Sequence, residues 1–316
     1  MPEKTTNSVV NLGNLGKPAD TLIKKISEAI GALYEPAYIR RIAQAKADAA
    51  IIQAKGKLEI TALQRRALNR FVEEEAKRQQ NIESITDRAL PQLNDSAKPE
   101  QVDDDWITNF FDKSRIVSDT EMQEIWAKVL SGESNSPGKY SKRTVNFLAD
   151  LDKADAQLFS ALLSFSCEIA DSRVPLILKP ADTIFREQGI TISSLWHLHS
   201  IGLIAFSPVG SMSVSFSEEI TPTYAGRPLQ LPPAPEPAGA LTVGHVILTQ
   251  VGQQLAAICP KQEVYGFFDY VTQTRPESGV SVQVANIGEA VQLLHENLAR
   301  HLDQIQGIRK VIKPAN

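Results

Sequence analysis

Apolar residues at Leu22, Ile23, Ile26, Ile30 and Leu33 recur at the helical period. They predict an amphipathic helix over 18–34, with Asp20 or Thr21 as its cap and Gly31 and Pro36 marking its end. From Ala37 to Leu90 there is no proline, and Gly56 is the one glycine. The residues between are mostly good helix formers, and Ile60, Leu63, Ala67 and Phe71 continue one face. This stretch predicts either two antiparallel helices broken near Gly56 or one long helix.

Polar residues and two prolines over 91–102 read as a linker. Asp103, Asp104 and Asp105 then supply an acidic helix start ahead of Trp106, matched to the positive end of a helix dipole. Helices are expected at 104–112, 119–130, 141–150 and 153–171. Trp106, Phe110, Trp126, Leu130, Phe147 and Leu162 are among their core positions. Beyond Leu178 the pattern changes. A short helix over 192–201 leads into Gly202–Phe206, a turn at Ser207–Gly210 and a strand at 213–216, the texture of a winged helix with its β-hairpin. Five prolines within Pro228–Ala240 mark a loop. Val243–Leu248 reads as strand running into a helix capped by Thr249, followed by strand candidates at 264–274 and 280–284 and a last helix at 288–306.

The fold class is therefore mainly α. Residues 1–17 form a loose N-terminus, 18–92 a long helical or coiled-coil-like region, and 103–172 a central helical bundle. Residues 173–316 form a winged-helix-like α+β domain with a Pro-rich loop at 228–239. A chain of 316 residues holds such a set of parts, each with its own core. Its two cysteines, Cys167 and Cys259, are too few for a disulfide framework and read as buried thiols of a cytoplasmic protein. No N-terminal leader pattern and no membrane-spanning run is expected.

A net charge of −4 gives no overall attraction to polyanions, so any such binding needs a local patch. One exists. Between residues 40 and 70 eight basic residues (Arg40, Arg41, Lys46, Lys55, Lys57, Arg65, Arg66, Arg70) stand against Asp48 and Glu59. A solvated face or self-association surface is the plainer reading; nucleic-acid binding is the alternative, for which Arg40, Arg41, Lys55, Lys57, Arg65, Arg66 and Arg70 are the candidate contacts. The helix over 18–34, with Lys24 and Lys25 beside its apolar stripe, gives a membrane-surface alternative.

Other motifs fail on chemistry. Gly132–Ser141 superficially resembles a phosphate-binding loop. Its glycine spacing is one residue too long, Tyr140 stands where a hydroxyl should follow the lysine, and a helix precedes it where a strand is needed. His197 and His199 lie two apart on a helix, hence on opposed faces, and make no metal pair. Between Glu187 and Gly226 there is neither Lys nor Arg, so the winged-helix-like part lacks the cations that DNA reading requires. Ser164 and Ser166 lack a nucleophile elbow, and neither cysteine is directly flanked by a basic residue. The carboxylate clusters at 73–75 and 103–105 are expected at exposed helical positions. No catalytic, cofactor or metal site is assigned.

Taken together, several segments resemble an uncharacterised bacterial family similar to the abortive-infection alpha-type proteins. They are Ile30-Gly-x-Leu-Tyr-x-Pro36, Arg78-Gln-Gln-Asn-Ile-Glu83, the Trp106–Phe159 run, Leu198–Ile204 and Leu248-Thr-x-x-Gly252-x-x-Leu255. The resemblance implies a role in defence against bacteriophage, as part of a system, and carries no catalytic residues. The expected function is a non-enzymatic sensor or scaffold whose partners are itself and another protein.

Overall fold

The computed structural model describes residues 16–31, 61–169, 172–208, 210–215, 221–230, 240–274 and 282–284. The expectations for residues 1–15, for 32–60 with Gly56, for most of the Pro-rich loop and for a helix at 288–306 lie outside these. The described chain is mainly helical with some antiparallel sheet. It divides into two compact units, Met1–Asp150 and Leu151–Asn316. The boundary expected at 172–173 thus falls some twenty residues earlier, because the helix beginning at Lys153 packs with the elements that follow it.

In the first unit, α1 (Lys17–Ile30) is opened by Gly16 with Pro18 in the first turn and closed by Gly31 at φ +88°. Neither Asp20 nor Thr21 is the cap: Thr21 lies one turn inside and donates its hydroxyl to the Lys17 carbonyl. Leu22 and Ile26 are fully buried. α2 (Ala62–Ala89) begins at a capping box, with the Thr61 hydroxyl accepting from Gln64 N–H and the Gln64 side chain accepting from Thr61 N–H. Thr61 is itself extended, so 37–90 is not one unbroken helix.

Asp103, Asp119 and Ser141 cap α3 (Asp104–Ser114), α4 (Thr120–Asn135) and α5 (Lys142–Ala149). The carboxyl of Asp103 is held below its ordinary range by the Trp106 N–H it accepts and by Lys142 beside it. Phe110 sits at the centre of the core, 5.2 Å from the Trp106 ring and 5.0 Å from those of Phe111 and Trp126. The Trp106 indole donates to the Tyr140 carbonyl at 2.7 Å, which ties the loop before α5 to this cluster.

The second unit starts with α6 (Lys153–Leu163), which is shorter than the helix expected over 153–171. Residues after it turn into β1 (Ser166–Ile169), paired antiparallel with β2 (Ser172–Pro175). α7 (Thr183–Arg186) and α8 (Ile192–Ser200) follow, the latter opened by a Thr191–Ser194 capping box. Gly202–Phe206 was expected to form a hairpin with the next strand, but β3 (Ile204–Phe206) pairs instead with the distant β8 (Val246–Leu248). Its chain neighbour β4 (Met212–Ser215) pairs with β7 (Ala240–Gly244) and, in parallel, with β9 (Val282–Val284). The local hairpin is β5 (Thr223–Tyr224) with β6 (Arg227–Pro228), joined through Ala225 and Gly226, both at positive φ as a tight two-residue turn requires. β5 also extends the β1–β2 pair.

Thr249 caps α9 (Gln250–Ala256) as expected. The segment 264–274 is not a strand but contains α10 (Phe267–Gln273). Its aromatic and β-branched residues suit a buried surface of either kind, and Phe267 is fully buried against Phe165 and Tyr224. One buried cation organises this end of the unit. The Arg173 guanidinium donates to the carbonyls of Leu163, Ala256, Cys259 and Pro260, where α6 and α9 end.

Gly252 offers a test of how tightly these elements meet. A Cβ there would lie 2.1 Å from the Leu203 carbonyl oxygen, a main-chain atom. In an open helix Gly→Ala gains about 1 kcal/mol. Here the clash outweighs propensity: Gly252→Ala is expected to lower stability by about 1–3 kcal/mol, read from urea unfolding of the full chain.

Candidate interaction surface

α2 consists of two unlike halves. From Asn81 to Ala89, Asn81, Ile82, Ile85, Thr86 and Ala89 are buried. From Thr61 to Arg70 every residue is exposed, and from Phe71 to Gln80 none is buried. At 1.5 Å per residue, the exposed half is roughly 30 Å of helix. Its apolar stripe nevertheless continues, with Leu63, Leu68 and Phe71 exposed by 67%, 41% and 60%. Large apolar side chains at helical spacing on an exposed helix form an apolar patch. The sequence shows the stripe but not that its core stops at Asn81. The one local sign is the pair Glu75 and Arg78 interrupting it, joined to each other as an ion pair.

The candidate basic contacts divide accordingly. Arg40, Arg41, Lys46, Lys55 and Lys57 lie outside the described residues. Arg65, Arg66 and Arg70 are all on the exposed half of α2. Arg70 pairs with Glu74, whereas Arg65 and Arg66 make no ion pair among the described residues. Glu73, Glu74 and Glu75 follow within two turns, so the positive stretch is short and ends in a negative one. The apolar face of α1 is not on offer to a bilayer: Leu22 and Ile26 are packed inside the first unit, and Lys25 bonds to the Glu100 carbonyl and to Asp104. Among the described residues no helix is long and apolar enough to cross a membrane.

The loop 132–141 is organised around an internal anion. Glu133 is 3% exposed, and its carboxylate accepts the backbone N–H groups of Gly138 at 2.6 Å and Tyr140 at 2.7 Å. Burial raises its pKa in spite of these bonds. The amides that a phosphate would need are therefore engaged by the protein's own carboxylate. The Tyr140 ring lies over Gly132, where a Cβ would come within 2.7 Å of it.

In the second unit the two histidines face different partners. His197 meets Asp155 at 2.7 Å, while His199 reaches the main chain of β3 at Ile204 and Phe206. On α8, Ile192 and Trp196 are exposed by 50% and 39%, one turn apart. This is a second, smaller apolar patch, without cations of its own.

The cysteines differ in setting. Cys167 is wholly buried in β1, and burial pushes its thiol up to about 12. Cys259, read from sequence as buried, is only partly so. Sequence neighbours also concealed that Arg173, remote along the chain, reaches the Cys259 carbonyl.

Residues 65–272, more than half of the chain, match the family described as Protein of unknown function (DUF2806), and the chain belongs to that family. No curated protein and no solved structure matches it.

The contrast between the two thiols is directly measurable. Iodoacetamide at pH 8 on the folded chain is expected to modify Cys259 well before Cys167, which reacts only after denaturation. Peptide mass spectrometry of a time course checks this.

Proposed function

We propose that this chain is a non-enzymatic scaffold or sensor that acts by assembling with itself and with a protein partner. The observation that carries the reading is the exposed apolar stripe on the first half of α2. A Leu and a Phe each gain about 1.5–3 kcal/mol when removed from water. A helix that leaves both outside its own core is suited to burying them against another surface. The interiors of both units support the same reading. Two of their buried charged side chains, Glu133 and Arg173, are held by main-chain groups. The sequence resemblance to abortive-infection proteins suggests the setting, a cytoplasmic response to bacteriophage.

The second unit contributes recognition in this reading. We read α7, α8 and β3 as a winged-helix-like unit whose second strand, β8, is supplied from some forty residues further along the chain. The exposed residues of α8 are Ile192, Ser193, Trp196, His197 and Ser200, with no Lys or Arg where a DNA-reading helix would carry them. Such a face suits a protein partner better than a phosphate backbone.

Replacing Leu68 and Phe71 together by aspartate tests the reading. Both side chains are exposed, so the unfolding free energy of the chain should move by less than about 1 kcal/mol. Light scattering on a sizing column should show that native chain associates and that the double variant does so at least about tenfold more weakly. Native chain that is monomeric at every concentration would reject self-assembly.

Arg65 and Arg66, without acidic partners among the described residues, support nucleic-acid binding as a second reading. If that holds, chain purified at low salt carries nucleic acid that is released at high salt, and Arg65→Gln with Arg66→Gln lowers the salt slope of binding by about 2. Equal absorbance ratios at 260 and 280 nm for native and variant chain would reject it.

A further inference from the structure

We infer that two copies of the chain pair antiparallel through the first half of α2. The inference rests on the self-assembly reading and gives it a partner and an orientation. Three features of the helix support it.

The first is the face. At 3.6 residues per turn, Gln64, Leu68, Phe71 and Glu75 fall on one side, with Leu63 and Ala67 beside them. An antiparallel partner centred between Asn69 and Arg70 sets Leu68 opposite the partner's Phe71, and Gln64 opposite the partner's Glu75. Each contact occurs twice, as two-fold symmetry demands.

The second is charge. Arg65, Arg66 and Arg70 give the start of this half three positive charges; Glu73, Glu74 and Glu75 outnumber Lys77 and Arg78 in the rest, where Arg78 pairs with Glu74 and Glu75 on its own helix. A parallel pair in register would place each cluster beside its own copy. The antiparallel pair brings the level of Arg65 and Arg66 to that of the partner's Glu74 and Glu73. Like charges set against each other are a strong determinant of partner orientation.

The third is space. With the same centre, the partner's Thr61 comes level with Arg78, just short of Asn81, where the helix enters its own core. Residues 61–78 of the two helices thus overlap, with the buried parts that begin at Asn81 at opposite ends of the pair.

Orientation can be separated from association by a charge-swapped chain carrying R65E, R66E, R70E, E73K, E74K and E75K. Reversing the charge order along the helix leaves antiparallel pairs of swapped chain complementary. It makes a mixed antiparallel pair with native chain repulsive at both ends. The measurement is light scattering of each chain alone, then capture of untagged chain by tagged chain of the same or the other type. The expected result is that swapped chain associates about as tightly as native, and that mixed capture is at least about tenfold weaker than like-with-like capture. Preferential capture of swapped by native chain would mean parallel pairing and would overturn the inference while leaving self-assembly intact. Absence of association for both chains would overturn the inference and the self-assembly reading together, since the stripe would then be covered by another part of the chain or by a different protein.

Discussion

The geometry of the second unit depends on the hydrogen bonds of Arg173. A buried guanidinium loses several kcal/mol of hydration and persists only where acceptors replace the water. Here the acceptors are carbonyls at the ends of α6 and α9, the negative poles of two helices. Burial lowers the pKa of the group, yet it starts far enough above neutrality that the cation persists. Because Arg173 is carried on β2, the same bonds fix where α6 stops and where the β1–β2 pair begins. Tyr224 works alongside it, donating to the Ser164 carbonyl and accepting from Val264 N–H, with burial raising its pKa. The shortening of the helix once expected to reach residue 171 follows from this capping.

The first unit solves the matching problem at the other pole of the main chain. Glu133 supplies the acceptor that the loop after α4 needs for its own N–H groups, and the Trp106 indole holds the same loop by its Tyr140 carbonyl. In both units a charged side chain in the interior belongs to the backbone, as the satisfaction of buried polar groups requires. Large apolar side chains are exposed on the first half of α2 and, at Ile192 and Trp196, on α8. A function of assembly and recognition is consistent with that division.

Much of the helical part was legible in the chain. Asp103, Asp119, Ser141 and Thr249 announce helix starts through short-range chemistry, and the structure places each at its cap. Trp106, Phe110 and Trp126 sit in the core that their spacing predicted. The strands were harder. β3 reads locally as half of a hairpin with the strand after it, yet its hydrogen-bonding partner is β8, some forty residues away. Phe267–Gln273 shows how an aromatic segment of seven residues satisfies the pattern of a strand while folding as a helix.

The sequence by itself determined what depends on neighbours within a turn or two: helix starts such as that at Thr249, the amphipathic stripes and the run of basic residues that is followed by acidic ones. Tertiary structure decided which of those stripes are covered. The stripes of α1 and of the first half of α2 look alike along the chain, but only that of α1 meets α3 and is buried. Arg173 and Glu133 are ordinary charged residues in sequence, and their roles exist only once distant main-chain ends converge on them. The physical reason is common to both cases. Periodicity fixes the direction in which a side chain points, whereas burial and hydrogen-bond satisfaction depend on what the rest of the chain brings to meet it.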